Sequence, residues 1–227
     1  MVGLKRKLEA FHPESEKELD GIFLDLAESF LYGGYISVKD CENAERYRIY
    51  LRTVEFYCHY DGKDMNSALP KDPIVYHRNG KYVKGEVPYF PLMAFHAHAS
   101  GYDITFENKE LGLRASALIR AYEVYDVKRE KGKFLTYSTK AKKFVDCQTE
   151  KERVNHQSTY LYNFLNGFMG DSVVWIDEIR SQTQAFKITP RKNVPQYKGE
   201  EKQLGTKDDR MWSFMRQEEI SDADTKQ

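Results

Sequence analysis

The 227-residue chain is short of cysteine: Cys41, Cys58 and Cys147 stand far apart and form no CxxC pair. An odd number at such separations suits free thiols in a reducing compartment, so a cytoplasmic location is expected, nucleoid-associated if the source is bacterial. Net charge is missing too, because 35 Lys and Arg balance 35 Asp and Glu. No global field therefore advertises a polyanionic partner, and a nucleic-acid binder would have to gather its basic residues on one face. No run approaches the ~18 apolar residues of a membrane span, so no membrane partner is expected. The opening MVGLKRKLEAFHPES carries basic residues without an apolar stretch, which does not read as a secretory signal. A Gly-rich phosphate loop, a GxSxG elbow and an HExxH helix are all absent. These absences argue against kinases, dinucleotide enzymes, serine hydrolases of the elbow type and zincins.

What remains is a chain with 41% hydrophobic and 14% aromatic residues, enough for a packed core. Pro13 opens a helix running to about Phe30, with Leu19, Ile22, Phe23, Leu26, Ala27 and Phe30 on one stripe and Gly33-Gly34 ending it. Strands are expected over Tyr35–Val38, Tyr47–Tyr60, Phe95–Phe106, Leu113–Tyr125 and Val173–Ile179. Residues 61–91 read as turns with a hairpin at Val75–Val83, and Ser158–Phe168 reads as a helix. A closing hairpin joins Ala185–Pro190 to Met211–Arg216. The run from Lys128 to Lys143 holds seven Lys and Arg around Gly132 and reads as a solvated excursion. With no repeat and no linker, residues 1–217 form a single α+β domain and 218–227 an acidic, frayed tail.

The stretch Thr53-Val-Glu-Phe-Tyr-Cys-His59 carries the chemistry. In a strand Glu55, Tyr57 and His59 share a face, opposite Val54 and Phe56. That row is either ordinary solvated sheet surface or a carboxylate set beside aromatic rings. His96-Ala-His98 with Cys58 and His59 invites a metal reading, but no ligand-spacing motif accompanies them and no metal is expected.

The order of segments adds a resemblance. LAESFL, GGYIS, VEFY, GYDITF, RASALIRAYEV, STYLYNFLNGF, TPRKNV and RMWSFMR follow one another as do the segments of the alkyladenine (3-methyladenine) DNA glycosylase family, which the chain resembles from 26 to 216. The resemblance implies a curved, mostly antiparallel sheet with flanking helices, and a monomer. It also implies a monofunctional hydrolase, without cofactor, that flips a damaged purine from double-stranded DNA. Glu55 matches the family's water-activating glutamate and Tyr57 its stacking tyrosine. Asp103 falls where the family has a pocket Asn, Arg120 where an Arg holds the site, and His96 near the residue wedged into the duplex. The family's pocket His is replaced by Asn66 or a neighbour, and its third aromatic wall falls on Met93, Phe95 or His96, so the substrate is expected to differ. Arg191, Lys192 and Arg210 are the expected contacts to the DNA backbone. A fold relative that binds nucleic acid or a nucleoside without cutting is the competing reading. Taken singly, the plainer alternatives are Glu55 as a surface strand residue, Tyr57 as a cross-strand partner, Asp103 as a turn former and Arg120 as an ion-pair partner.

Overall fold

The computed structural model describes residues 3–62, 67–70, 72, 88–98, 101–129, 132–166, 172–178, 185–192, 194–198, 201–206 and 209–217. Two helices open the chain, α1 (Leu4–Glu9) and α2 (Glu16–Tyr32), followed by strands β1 (Gly34–Lys39) and β2 (Glu45–Tyr60). Next come β3 (Ala94–His98), β4 (Gly101–Thr105), β5 (Leu113–Asp126), β6 (Lys133–Ser138) and β7 (Lys143–Asp146). A third helix, α3 (Ser158–Leu165), precedes β8 (Val173–Asp177), β9 (Phe186–Thr189), β10 (Val194–Lys198), β11 (Glu201–Thr206) and β12 (Ser213–Arg216). The expected α+β class holds, with a curled antiparallel sheet of ten strands and a separate β10–β11 pair.

The long strands β2 and β5 pair along almost their whole length and form a spine. Each has two different neighbours on its outer edge. The first half of β2 pairs with β1, which carries β8, and the second half pairs with β12, which carries β9. On β5, residues 116–119 pair with β4 and its partner β3, while residues 124–126 pair with β6 and its partner β7. Four two-stranded wings therefore leave one spine.

At the spine's centre the pairing jumps from Leu51–Tyr122 to Thr53–Ala121 and then to Val54–Ile119. Arg52 and Arg120 are skipped in turn, one bulge residue in each strand. Each extra residue reverses which alternate positions face the core. Ile49 and Leu51 lie in the core before the joint, and Val54, Phe56 and Cys58 after it, all at 0% exposure. The second face consequently carries Arg48 and Tyr50 on one side of the joint, Glu55 and Tyr57 on the other.

The first face is closed by α2. Ser15 caps it by accepting from the Glu18 N–H at 3.3 Å, while the Glu18 carboxylate reaches back to the Glu14 N–H at 2.8 Å. Its stripe of Leu19, Phe23, Leu26, Ala27 and Phe30 is buried on β2. Phe56 sits at the hub of the core, stacked on Phe23 at 4.6 Å and approached edgewise by Phe214 at 5.6 Å.

Two expectations need correction. Phe95–Phe106 is not one strand but the β3–β4 hairpin, because the chain reverses between His98 and Gly101. Gly101 has φ +151°, and a Cβ there would run into Ser158, whose hydroxyl caps the Tyr102 N–H at 2.9 Å. The basic run Lys128–Lys143 is only partly an excursion, since Lys133–Ser138 is a sheet strand. Three of its charges are tied to acids: Lys128 to Asp40, Arg129 to Asp126 and Asp146, Lys133 to Asp146. The expected Val75–Val83 hairpin and the 218–227 tail lie outside the described residues.

Phe56→Ala removes the hub ring from a site that cannot collapse around the loss. It is expected to cost about 3–5 kcal/mol of unfolding free energy. Urea denaturation checks this, with an unchanged slope; a cost below about 1.5 kcal/mol would place the hub elsewhere.

Candidate functional site

One row of directly opposed residues crosses the sheet at Glu55. Reading the registers outward gives His96, Asp103, Leu118, Glu55, Ser213 and Thr189 on β3, β4, β5, β2, β12 and β9. Opposed residues share a face, so His96, Asp103 and Glu55 point to the same side. Two strand spacings, about 10 Å, separate Asp103 from Glu55, with Leu118 between them.

Glu55 is only 2% exposed although it faces away from the core. Its Oε1 accepts from the Tyr57 hydroxyl at 2.5 Å and from Arg120 Nη2 and Nε at 2.5 and 3.1 Å. Its Oε2 lies 3.4 Å from the Lys192 N–H. Arg120 also donates to the Lys192 carbonyl at 3.2 Å, so the bulge residue of β5 clamps the carboxylate to the chain after β9. Burial pulls the Arg120 pKa down, but Glu55 and Tyr57 outweigh it and the net shift is upward. Burial and then the Glu55 charge push the Tyr57 phenol well above its ordinary 10.0. Tyr57 is thus a neutral hydrogen-bond donor throughout the physiological range.

The segment over this face is held from below. Arg191 is 3% exposed, and its guanidinium forks onto Asp72 at 2.7 and 2.9 Å and donates to the Phe56 carbonyl at 3.0 Å. It lies over the Tyr57 ring at 4.7 Å and the Trp212 ring at 4.9 Å. Asp72 also accepts from the Cys58 N–H at 3.0 Å and from Arg210 at 3.2 Å, and Arg210 continues to Glu16 at 2.7 Å. Phe90 and Val194 pack on Tyr57 and Leu118. His96 is half-buried with its ring 4.2 Å from Phe90.

The sequence-derived residues therefore divide. Glu55, Tyr57 and Arg120 are in direct contact, and Asp103 and His96 share their face. Asn66 lies outside the described residues. Arg191 is not placed to meet a phosphate: burial and the Asp72 fork make it an internal tie. Arg210 is engaged by Asp72 and Glu16, while Lys192 is exposed. Cys58 points into the core and His59 to the other face, so these neighbours cannot share a metal ion. Among the described residues no group of three or more His, Cys, Asp or Glu could hold one. Asp72 escaped the sequence reading because it sits in a turn-rich stretch; its one signal was an acid set between Pro70 and Pro73.

Asp72→Ala would leave the Arg191 guanidinium buried without its carboxylate, an expected loss of about 3–5 kcal/mol in chemical denaturation. A loss within the scatter of surface mutants would show that the fork is dispensable.

A phenol with a raised folded-state pKa stabilises the fold fully below the unfolded-state pKa, and that contribution is lost as pH rises through the folded value. Tyr57 starts from 10.0 and the buried Cys58 thiol, also raised by burial and by Asp72, from 9.0. Stability should hold steady to pH 9.0 and fall beyond it, with Tyr57→Phe flattening the fall above 10.0. A Tyr57→Phe profile that falls as steeply as the parent's would contradict this. No family model, curated protein or solved structure matches the chain, so the geometry of the site carries the functional argument.

Proposed function

We propose that the protein is a DNA glycosylase-like hydrolase that flips a modified purine from duplex DNA and cuts its N-glycosidic bond. The carrying observation is the contact among Glu55, Tyr57 and Arg120 on the face that also holds Asp103 and His96. A base leaves the stack at a cost of a few kcal/mol, least when it is damaged or mispaired. Stacking on an aromatic wall such as Tyr57 recovers about 1–3 kcal/mol of that. As the glycosidic bond breaks, its electrons leave with the base and positive charge builds on the sugar. Glu55 stabilises that charge and takes the proton of the water that bonds to the sugar carbon. Its Oε2, which among the described residues carries only the long Lys192 contact, is the oxygen for this task. Asp103 offers only acceptors, which suits base edges rich in N–H donors or a cationic alkylated purine. Entry of a base above Leu118 requires Phe90 and Val194 to move.

A second reading, a non-cutting relative that binds nucleic acid or a nucleoside, draws support from the three donors already on Oε1 and from the cover over Tyr57. Duplexes bearing single lesions, treated with alkali to reveal abasic sites, separate the two. The hydrolase reading expects excision that Glu55→Gln lowers at least ~100-fold while binding persists. Full activity in that variant removes Glu55 from the chemistry. Salt-sensitive binding without excision of any lesion favours the second reading.

A further inference from the structure

Beyond the joint in the spine, the same face opens into a cavity of about 350 Å³ bordered by Arg48, Arg52, Arg153 and Arg216. It lies about 15 Å along β2 from Glu55, between the β1–β8 and β6–β7 wings. Its floor is made of cross-strand pairs, Arg48 opposite Tyr125 and Tyr50 opposite Glu123, with Phe134 opposite Tyr125 on the next strand. Among the described residues Glu123 is the one acid in the lining, 6% exposed, and meets Arg153 at 3.4 Å and Arg52 at 4.0 Å. Four guanidiniums share the described lining with one carboxylate. Glu45 and Glu150 reach Arg48 and Arg153 from outside the lining. The arginines are also held in place: Arg48 lies over the Tyr35 ring at 5.0 Å, Arg153 over Phe134 at 3.6 Å and Arg216 over Tyr32 at 4.9 Å.

A lining this rich in guanidinium donors, arranged around a hollow, suits an anion with several acceptor oxygens. Planar guanidinium forks match phosphate, and a phosphate monoester carries about −1.5 to −2 at neutral pH. The half-buried Tyr50 and Tyr125 supply aromatic surface beside the charge. The volume falls at the lower end of small-molecule sites. We propose that this cavity binds a phosphorylated nucleoside, its phosphate among the four arginines and its base against Tyr50 and Tyr125. The ligand is either a free mononucleotide or the phosphorylated end of a DNA strand; the recognition chemistry is the same. The assignment stands apart from excision at Glu55.

Calorimetric titration of the full chain with 2′-deoxyadenosine 5′-monophosphate tests it, with deoxyadenosine and inorganic phosphate as controls. Saturable binding is expected, at least about tenfold tighter than to either control, because each control loses half of the recognition. Arg216→Gln and Arg48→Gln should each weaken it about tenfold, and Glu55→Gln should leave it unchanged. Thermal melts followed by circular dichroism verify that each variant is folded, and Arg216, at the end of β12, is the less intrusive of the two. Absence of saturable binding, a nucleotide held no tighter than phosphate, or affinity indifferent to folded arginine variants would each overturn the assignment. Oligodeoxynucleotides with a 5′-phosphate or a 5′-hydroxyl distinguish the sources. A phosphate-dependent gain lost in Arg216→Gln identifies a strand end; equal binding of the two alongside tight mononucleotide binding identifies the free nucleotide.

Discussion

The Asp72 carboxylate is the fixed point from which the second face of the sheet is organised. It receives the Arg191 fork, Arg210 and the Cys58 N–H, and through them ties the chain after β9 and the approach to β12 to the spine. Replacing such a buried pair by apolar groups is often neutral for stability, so its value here lies in position. With Arg191 held on the Tyr57 ring, the next residue, Lys192, is carried to where its N–H meets Glu55 and its carbonyl meets Arg120. The Glu55 carboxylate is therefore located by a residue that touches none of its atoms. Asp72 acts on the site as a foundation.

The spine divides the labour of its own second face. Toward the β3–β4 and β9–β12 wings the face is covered, and its acids are buried beside tyrosine and arginine. Toward the β1–β8 and β6–β7 wings it opens and is dominated by arginine. Formal neutrality of the whole chain conceals this separation, because charges cancel in sum while remaining apart in space. Of the basic run that the sequence offered most loudly, Lys128–Lys143, the three residues Lys128, Arg129 and Lys133 are paired with aspartates. The arginines lining the cavity come from scattered positions that only the pairing of strands assembles.

Much of the fold was legible because its signals are local. The stripe from Leu19 to Phe30 defines α2, and alternation around Glu55 puts Glu55 and Tyr57 on one face. The shared row of His96, Asp103 and Glu55 needed registers across four strands, which no local pattern contains. Burial of Arg191 was illegible for a related reason: an arginine in a proline-basic stretch reads as surface unless its distant partner is known. Phe95–Phe106 misled because the apolar content continues through the turn, leaving Gly101 as the sole mark of the reversal. The joint in β2 did leave a trace, since the apolar positions shift from 49 and 51 to 54, 56 and 58.

That joint has a consequence for how such a chain can change length. Arg52 and Arg120 are one supernumerary residue in each of two adjacent strands, and each inverts the pattern of its own strand. Loss of either alone would leave one strand inverted and its neighbour not, turning charged side chains of half a strand toward the aromatic hub. Loss of both together would restore agreement between the strands while exchanging the faces of an entire half-sheet. Though in step, the strands would then turn Phe56 out of the core and Glu55 into it, so the joint must keep both residues. Two positions 68 residues apart in the chain, 52 and 120, form a single heritable unit.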